Sequence, residues 1–226
     1  SGSTINISGG IVGDRVDVFA GSTANISGGN VGRTFQAFSG STVRISGGNV
    51  GDNFQALERS VVWISGGTVG NAFDAGSGSM VNISGGVVGD LVDVFSGATV
   101  NISGGNVGNE FGARSGSTVN LFGTSFFVNG VELDDLVLGE AFFITGRNTM
   151  LTGILADGSL FDFDLNDTVT FGSDLFAQDA TLTVTLVPAP GAAGMLAVAG
   201  VATALRRRQI GTHADAVVSR NTAETA

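Results

Sequence analysis

Residues 97–107, Gly97-Ala98-Thr99-Val100-Asn101-Ile102-Ser103-Gly104-Gly105-Asn106-Val107, recur along the chain with little change. The Ile of the Ile-Ser-Gly-Gly motif falls at Ile7, Ile26, Ile45, Ile64, Ile83 and Ile102, 19 residues apart each time. Constant spacing marks a stacked repeat, in which each unit buries its apolar face only against its neighbours. A seventh copy puts Leu121 at the same phase, but Phe122, Gly123 and Thr124 stand where Ser, Gly and Gly stood, so the array ends there. It starts at the edge of a repeat, at Ser1, from which a precursor beginning further upstream is expected.

Superposing the copies separates interior from surface, because a column that is apolar throughout a stack faces inward. One such column runs Ile5, Ala24, Val43, Val62, Val81, Val100 and Val119, two residues before the Ile column, which places both on one face of a strand. A third holds Val12, Val31, Val50, Val69, Val88 and Val107, and a fourth Val16, Phe35, Phe54, Phe73, Val92 and Phe111. Two positions after the fourth come the small residues Val18, Ala37, Ala56, Ala75, Val94 and Ala113. Recurrent glycines, as at Gly47, Gly48 and Gly51, read as corners that need positive φ or close backbone approach. Three short extended stretches per 19 residues, with no helical period, predict an all-β fold: a parallel β-helix, or β-solenoid. At about 4.8 Å per coil, the stack is expected to be roughly 30 Å long.

Composition restricts the chemistry. The 226 residues contain no Cys and no Tyr, all 10 basic residues are Arg, and the one His is His213. Thiolate metal sites and disulfides are excluded, and candidates for general-base or Schiff-base catalysis are few. The net charge of −10 argues against nucleic acid as a partner, since phosphate binding needs a basic face.

An outward stripe alternates with the first inward columns. It reads Thr4, Asn6 and Ser8 in the first coil, Thr23, Asn25 and Ser27 in the second, and Thr99, Asn101 and Ser103 in the sixth; Asn82 and Asn120 share the Asn phase. In-register Asn and Thr are expected to satisfy one another along the stack. Arg44, Val61, Trp63 and Met80 interrupt the stripe, which counts against a flat ice-binding lattice. Trp63 is either a lone exposed aromatic or a platform for a sugar ring. The Asn-Ile-Ser triplets at Asn6, Asn25, Asn82 and Asn101 match the N-glycosylation sequon, which the repeat multiplies automatically. These residues form the candidate glycan or surface ladder.

Asp14, Arg33, Asp52, Asn71, Asp90 and Asn109 make another column, followed three residues later by Asp17, Gln36, Gln55, Asp74 and Asp93. Calcium requires several oxygens per ion, and Arg33 occupies a ligand position, so turn capping explains the column better. Polysaccharide lyases and hydrolases also use parallel β-helices, with clustered carboxylates or a carboxylate–Arg pair as their catalytic requirement. Arg15, Asp17 and Asp93 are the available groups here, but the unbroken spacing leaves no insertion to build an active site. No catalytic, cofactor-binding or metal residue is therefore assigned.

From residue 123 to 187 the period is lost, and ten acidic residues face Arg147 alone. Met150 to Leu155, Asp157-Gly158 and Ser159 to Leu165 read as a hairpin, and Thr181 to Val187 alternates again. This acidic β-rich segment is expected to cap the stack and protect its strand edges. Then come Pro188-Ala189-Pro190, the uncharged Gly191 to Leu205, and Arg206-Arg207-Arg208. Fifteen helical residues span roughly 22 Å, short of a ~30 Å hydrocarbon core, which predicts a transient span held by the Arg cluster on the cytoplasmic side.

This Val-Pro-Ala-Pro motif, short apolar stretch and Arg cluster resemble the PEP-CTERM sorting domain of Gram-negative bacteria, over about the last forty residues. The resemblance implies processing by an exosortase-like enzyme near Pro188, Ala189 and Pro190, transient anchoring in the inner membrane, and Arg206, Arg207 and Arg208 as the stop. It further implies export to the cell surface or extracellular space, alongside extracellular polysaccharide. Ala189 replaces the family's usual Glu, and residues 209–226 follow a cluster that normally ends the chain. The repeats and the stretch Leu155 to Leu165 are similar to those of planctomycete proteins carrying this tail. The expected organisation is thus a solenoid over 1–122, an acidic cap over 123–187, a sorting signal over 188–208 and a disordered tail over 209–226. The expected role is a non-catalytic structural or adhesive surface protein, with a carbohydrate-binding or carbohydrate-active β-helix as the alternative and ice or calcium binding behind it.

Overall fold

A computed structural model of the protein describes residues 2–170 and 172–189. The chain through Val187 forms one compact unit. Its repeated coils carry long strands β1 (Thr4–Val12), β3 (Thr23–Val31), β5 (Thr42–Val50), β7 (Val61–Val69), β9 (Met80–Val88), β11 (Thr99–Val107) and β13 (Thr118–Val128). Between them lie short strands β2 (Val16–Val18), β4 (Phe35–Ala37), β6 (Gln55–Ala56), β8 (Phe73–Ala75), β10 (Val92–Val94) and β12 (Gly112–Ala113). After the repeats come β14 (Val131–Glu132), β15 (Ala141–Phe143), β16 (Met150–Leu155), β17 (Leu160–Asp164), β18 (Leu175–Phe176) and β19 (Thr181–Leu186). No helix occurs among the described residues, and the fold is an all-β parallel solenoid.

Every coil pairs in parallel with the next at a displacement of 19, as in Thr23↔Thr42 and Ile26↔Ile45, so outside the Gly-Gly bend each paired residue sits on its own repeat equivalent. The long strands form one sheet and the short strands the other. The interior is filled by the expected columns: Val43, Ile45, Val50, Phe54 and Ala56 of the third coil are all buried, and the same phases are buried in its neighbours. The Phe column forms a ring stack, with Phe35–Phe54 and Phe54–Phe73 centroids each 4.9 Å apart and their planes nearly parallel.

Two features differ from the sequence-based expectation. The Gly-Gly corner does not end a strand, so each coil has two strands and not three. A nine-residue strand runs through the corner, and the bend appears as a register shift between Ile26 and Ser27 and again between Ser27 and Asn30. The second glycine carries the turn, as in Gly48 with φ 79°, where a Cβ would lie 2.7 Å from the Gly28 carbonyl carbon. At the corner after Gly13 and its equivalents, the positive φ falls on a residue that is never Gly: Arg15, Thr34, Asn53, Ala72, Leu91 and Glu110, all at 60–64°. The reason is hydrogen-bond direction. Gly32 N–H donates back to Val12 O, whereas Thr34 N–H donates forward to Asp52 O, and the left-handed residue is where the main chain reverses between the two neighbours. Gly51, two residues before Asn53, is needed for space, because its Cβ would meet the Gly32 main chain at 2.9 Å.

The array ends at Thr124, which stands at the phase of the positive-φ glycine. The bend is lost there, and β13 continues for 11 residues. Its first half pairs with β11, and its second half leaves the coil path to pair antiparallel with β16. β16 and β17 form the expected hairpin, with Met150 opposite Asp164 and Gly158 at φ 94° in its turn. β19 returns as a further parallel rung on β13, Leu121 opposite Val184, and β18 extends the short-strand sheet beyond β12. Leu182 to Thr185 are buried in succession, so this strand lacks the expected alternation. It pairs with β13 on one edge and with antiparallel β15 on the other.

Arg147 ties this region together. Its guanidinium donates to the carbonyls of Ile144, Gly146, Phe176, Ala177 and Ala180 at 2.8–3.3 Å. Asp174, buried, accepts Phe111 N–H on Oδ1 and Asp164 N–H on Oδ2, joining the last coil to β17. Burial raises its pKa above the ordinary carboxylate range, against the lowering effect of those two hydrogen bonds. The proposed anchor segment Gly191 to Leu205 and the tail beyond it lie outside the described residues.

Candidate functional surface

The outward ladder of the long-strand sheet is built by register. Asn25 Nδ2 donates to Asn6 Oδ1 at 2.8 Å, Asn101 to Asn82 at 2.9 Å and Asn120 to Asn101 at 2.8 Å; Thr183 Oγ1 then donates to Asn120 Oδ1 at 2.7 Å. Each amide donates toward the preceding coil, which gives the ladder a polarity. Thr4 and Thr23 are neighbours in register, without a mutual hydrogen bond. The Ser hydroxyls do not form a ladder of their own: Ser46, Ser65, Ser84 and Ser103 each reach a main-chain carbonyl of the preceding coil at 3.4–3.5 Å.

Arg44 and Trp63 divide this ladder in two. They are adjacent in register, with Asn25 beside Arg44 and Asn82 beside Trp63. Trp63 is 46 % exposed, and Arg44 projects to solvent without a carboxylate partner among the described residues. Asn82 Nδ2 points toward the coil that would hold an acceptor, finds Trp63 there, and is left buried without one.

The Asp/Asn column binds main chain. The Oδ1 atoms of Asp14, Asp52, Asn71 and Asp90 accept the N–H of the equivalent residue one coil later, Arg33, Asn71, Asp90 and Asn109, at 2.8–3.0 Å. Arg33, which cannot accept, instead approaches Asp52 at 3.5 Å. On the short-strand sheet, Arg15 lies 3.9 Å from Asp17, and Arg114 holds Asp93 at 2.6 Å. Asp74 stands in register beside Asp93, and its pKa is raised chiefly by burial and further by that neighbour, while Gln55 and Arg114 act in the lowering direction. The groups considered for catalysis are thus distributed: Arg15 and Asp17 form one pair in the first coil, and Asp93 is engaged by Arg114 further along the stack. No cluster of three or more carboxylate or His side chains is poised to hold a metal ion among the described residues.

Outside the ladder, Phe127, Thr152, Ile154 and Leu160 line an open hollow of about 540 Å³ on the hairpin, with Asp162 among its residues. Pro188 and Ala189 are exposed, and Pro190, Arg206, Arg207 and Arg208 lie outside the described residues. Two structural groups carry no periodic signal in the sequence: the Arg147 clamp and buried Asp174. A third group, the buried Ser41, Ser60, Ser79 and Ser117, does carry such a signal, recurring at the same phase of the repeat. Fold and surface define a class, a parallel β-solenoid with an amide-laddered face. The chain matches no protein-family model, no curated protein and no solved structure.

Proposed function

We propose that this chain is an exported structural or adhesive repeat protein of the cell surface or extracellular matrix, displayed by an exosortase-like system acting at Pro188-Ala189-Pro190. The observation that carries the non-catalytic part is that the repeat's outward Asn column and its Asp/Asn corner column are bonded largely within the repeat itself. Asn side chains bond to Asn of the next coil, and Asp side chains bond to its main chain, as parts of a scaffold do. In this reading the strands after residue 122 close the stack, and their acidic surface opposes end-to-end association. The addressing part rests on the resemblance of the tail, with Gly191 to Leu205 spanning the inner membrane transiently and Arg206 to Arg208 retained on the cytoplasmic side.

The test is intact mass of the native protein, recovered separately from envelope, medium and cytoplasm. A surface or secreted form ending near Pro190 is expected, with or without added sugar mass. A chain intact through Ala226 in the cytoplasm would refute the proposal.

A further inference from the structure

Resting on the surface reading above, we infer that the Arg44–Trp63 junction binds an acidic polysaccharide, a polymer of uronic acid residues. Wherever Asn meets Asn, one amide donor and one acceptor are engaged within the ladder. Among the described residues it is interrupted where Arg44 and Trp63 stand in register between Asn25 and Asn82, with Arg44 and the indole exposed and Asn82 Nδ2 buried without an acceptor. Val61 and Met80, paired in register one row away, extend the indole into a small apolar floor.

The parts match one ligand chemistry. A pyranose offers an apolar face to an aromatic ring and hydroxyls to amides around its rim. Arg44 adds a planar fork suited to a carboxylate and has no carboxylate partner among the described residues, a local attraction that acts against the long-range repulsion of a chain of net charge −10. Adjacent coils are about 4.8 Å apart, close to the length of one sugar residue, so a stacked ring on Trp63 places its neighbour or its own carboxylate over Arg44. An acidic peptide fits less well, because the strands here are paired on both edges and offer no backbone groups for β-addition.

Trp63 is the sole Trp of the chain, so its emission reports the site directly. The full chain is titrated with polygalacturonate, with neutral dextran and with polyglutamate. Expected are a saturable change in Trp63 emission with polygalacturonate, and little response to the other two polymers. Arg44→Gln should weaken binding at least about tenfold, the loss of a charge-assisted contact, with unchanged far-UV circular dichroism. Trp63→Leu should abolish retardation in gels containing polygalacturonate. A flat titration, an equal response to dextran, or full affinity in Arg44→Gln would overturn the inference. An equal response to polyglutamate would do the same by assigning the site to acidic peptides. Because location is measured independently by mass and fractionation, a surface protein with a flat titration loses only this ligand, whereas uronate binding by a cytoplasmic chain ending at Ala226 would sink only the surface reading.

Discussion

The interior columns at Phe54 and Ala56 compensate each other, and this can be measured in the one internal coil that departs from the pattern. Where the first position is Phe the second is Ala, as in Phe35/Ala37, Phe54/Ala56 and Phe73/Ala75; in the fifth coil they are Val92 and Val94. All are buried. Val92→Phe alone adds a ring beside an unreduced Val94, and overpacking of that kind costs about 1–3 kcal/mol. Val94→Ala alone removes two methyl groups worth about 0.8 kcal/mol each, plus a cavity penalty, for a loss of about 2–3 kcal/mol. The double variant recreates the Phe/Ala pair. Phe73 and Phe111 lie two coils apart, about 9.6 Å at the strand spacing, which leaves room for one ring between them. Ring stacking at the 4.9 Å seen for Phe54–Phe73 then offsets part of the cost. The double variant should fall within about 1 kcal/mol of the parent, giving a coupling energy of about 2–6 kcal/mol. Urea unfolding followed by Trp63 emission and by circular dichroism supplies the four free energies. Additive losses would refute the volume-compensation account.

Thr34 is β-branched at φ 62°, so Thr34→Asn should stabilise the protein by about 1 kcal/mol in the same urea assay; a loss of stability would show that the Thr side chain contributes more than its strain. Arg147→Met removes the donor shared by five carbonyls and should cost about 2–4 kcal/mol, read as a lowered melting temperature, with the hairpin and β19 losing amide-exchange protection before the coils. For Asp157, burial acts to raise the pKa, but hydrogen bonds from the Ser159 side chain, Ser159 N–H and Gly105 N–H outweigh it and hold it below the usual range. Its contribution is therefore present above the unfolded value of about 3.9 and lost as pH falls through and below it. The melting-temperature gap between the parent and Asp157→Asn should be full at pH 6 and shrink toward pH 3. Comparison with the variant is needed because the raised pKa of Asp174 acts oppositely: acidification relieves a buried charge.

A 19-residue period with apolar columns was enough to establish the solenoid, its register and most of its core. In-register stacking converts sequence phase directly into spatial neighbourhood, so Asn25 against Asn6 or Phe54 against Phe35 required no tertiary information. The end of the array was legible for the same reason, because Phe122, Gly123 and Thr124 replace the Ser-Gly-Gly of every earlier coil.

Tertiary structure decided what has no period. The left-handed residue at Thr34 and its equivalents is set by the direction of inter-coil hydrogen bonds, a property of the main chain that side-chain identity at that phase does not reveal. The Arg147 clamp and the Asp174 bridge join residues 29–33 and 63 positions from one another, distances at which no repeat maps sequence onto space. The interruption at Arg44 and Trp63 lies between these two cases. The sequence showed it, while only the polarity of the amide ladder determined that a donor is left without an acceptor at Asn82, because hydrogen-bond direction along a stack is fixed in three dimensions.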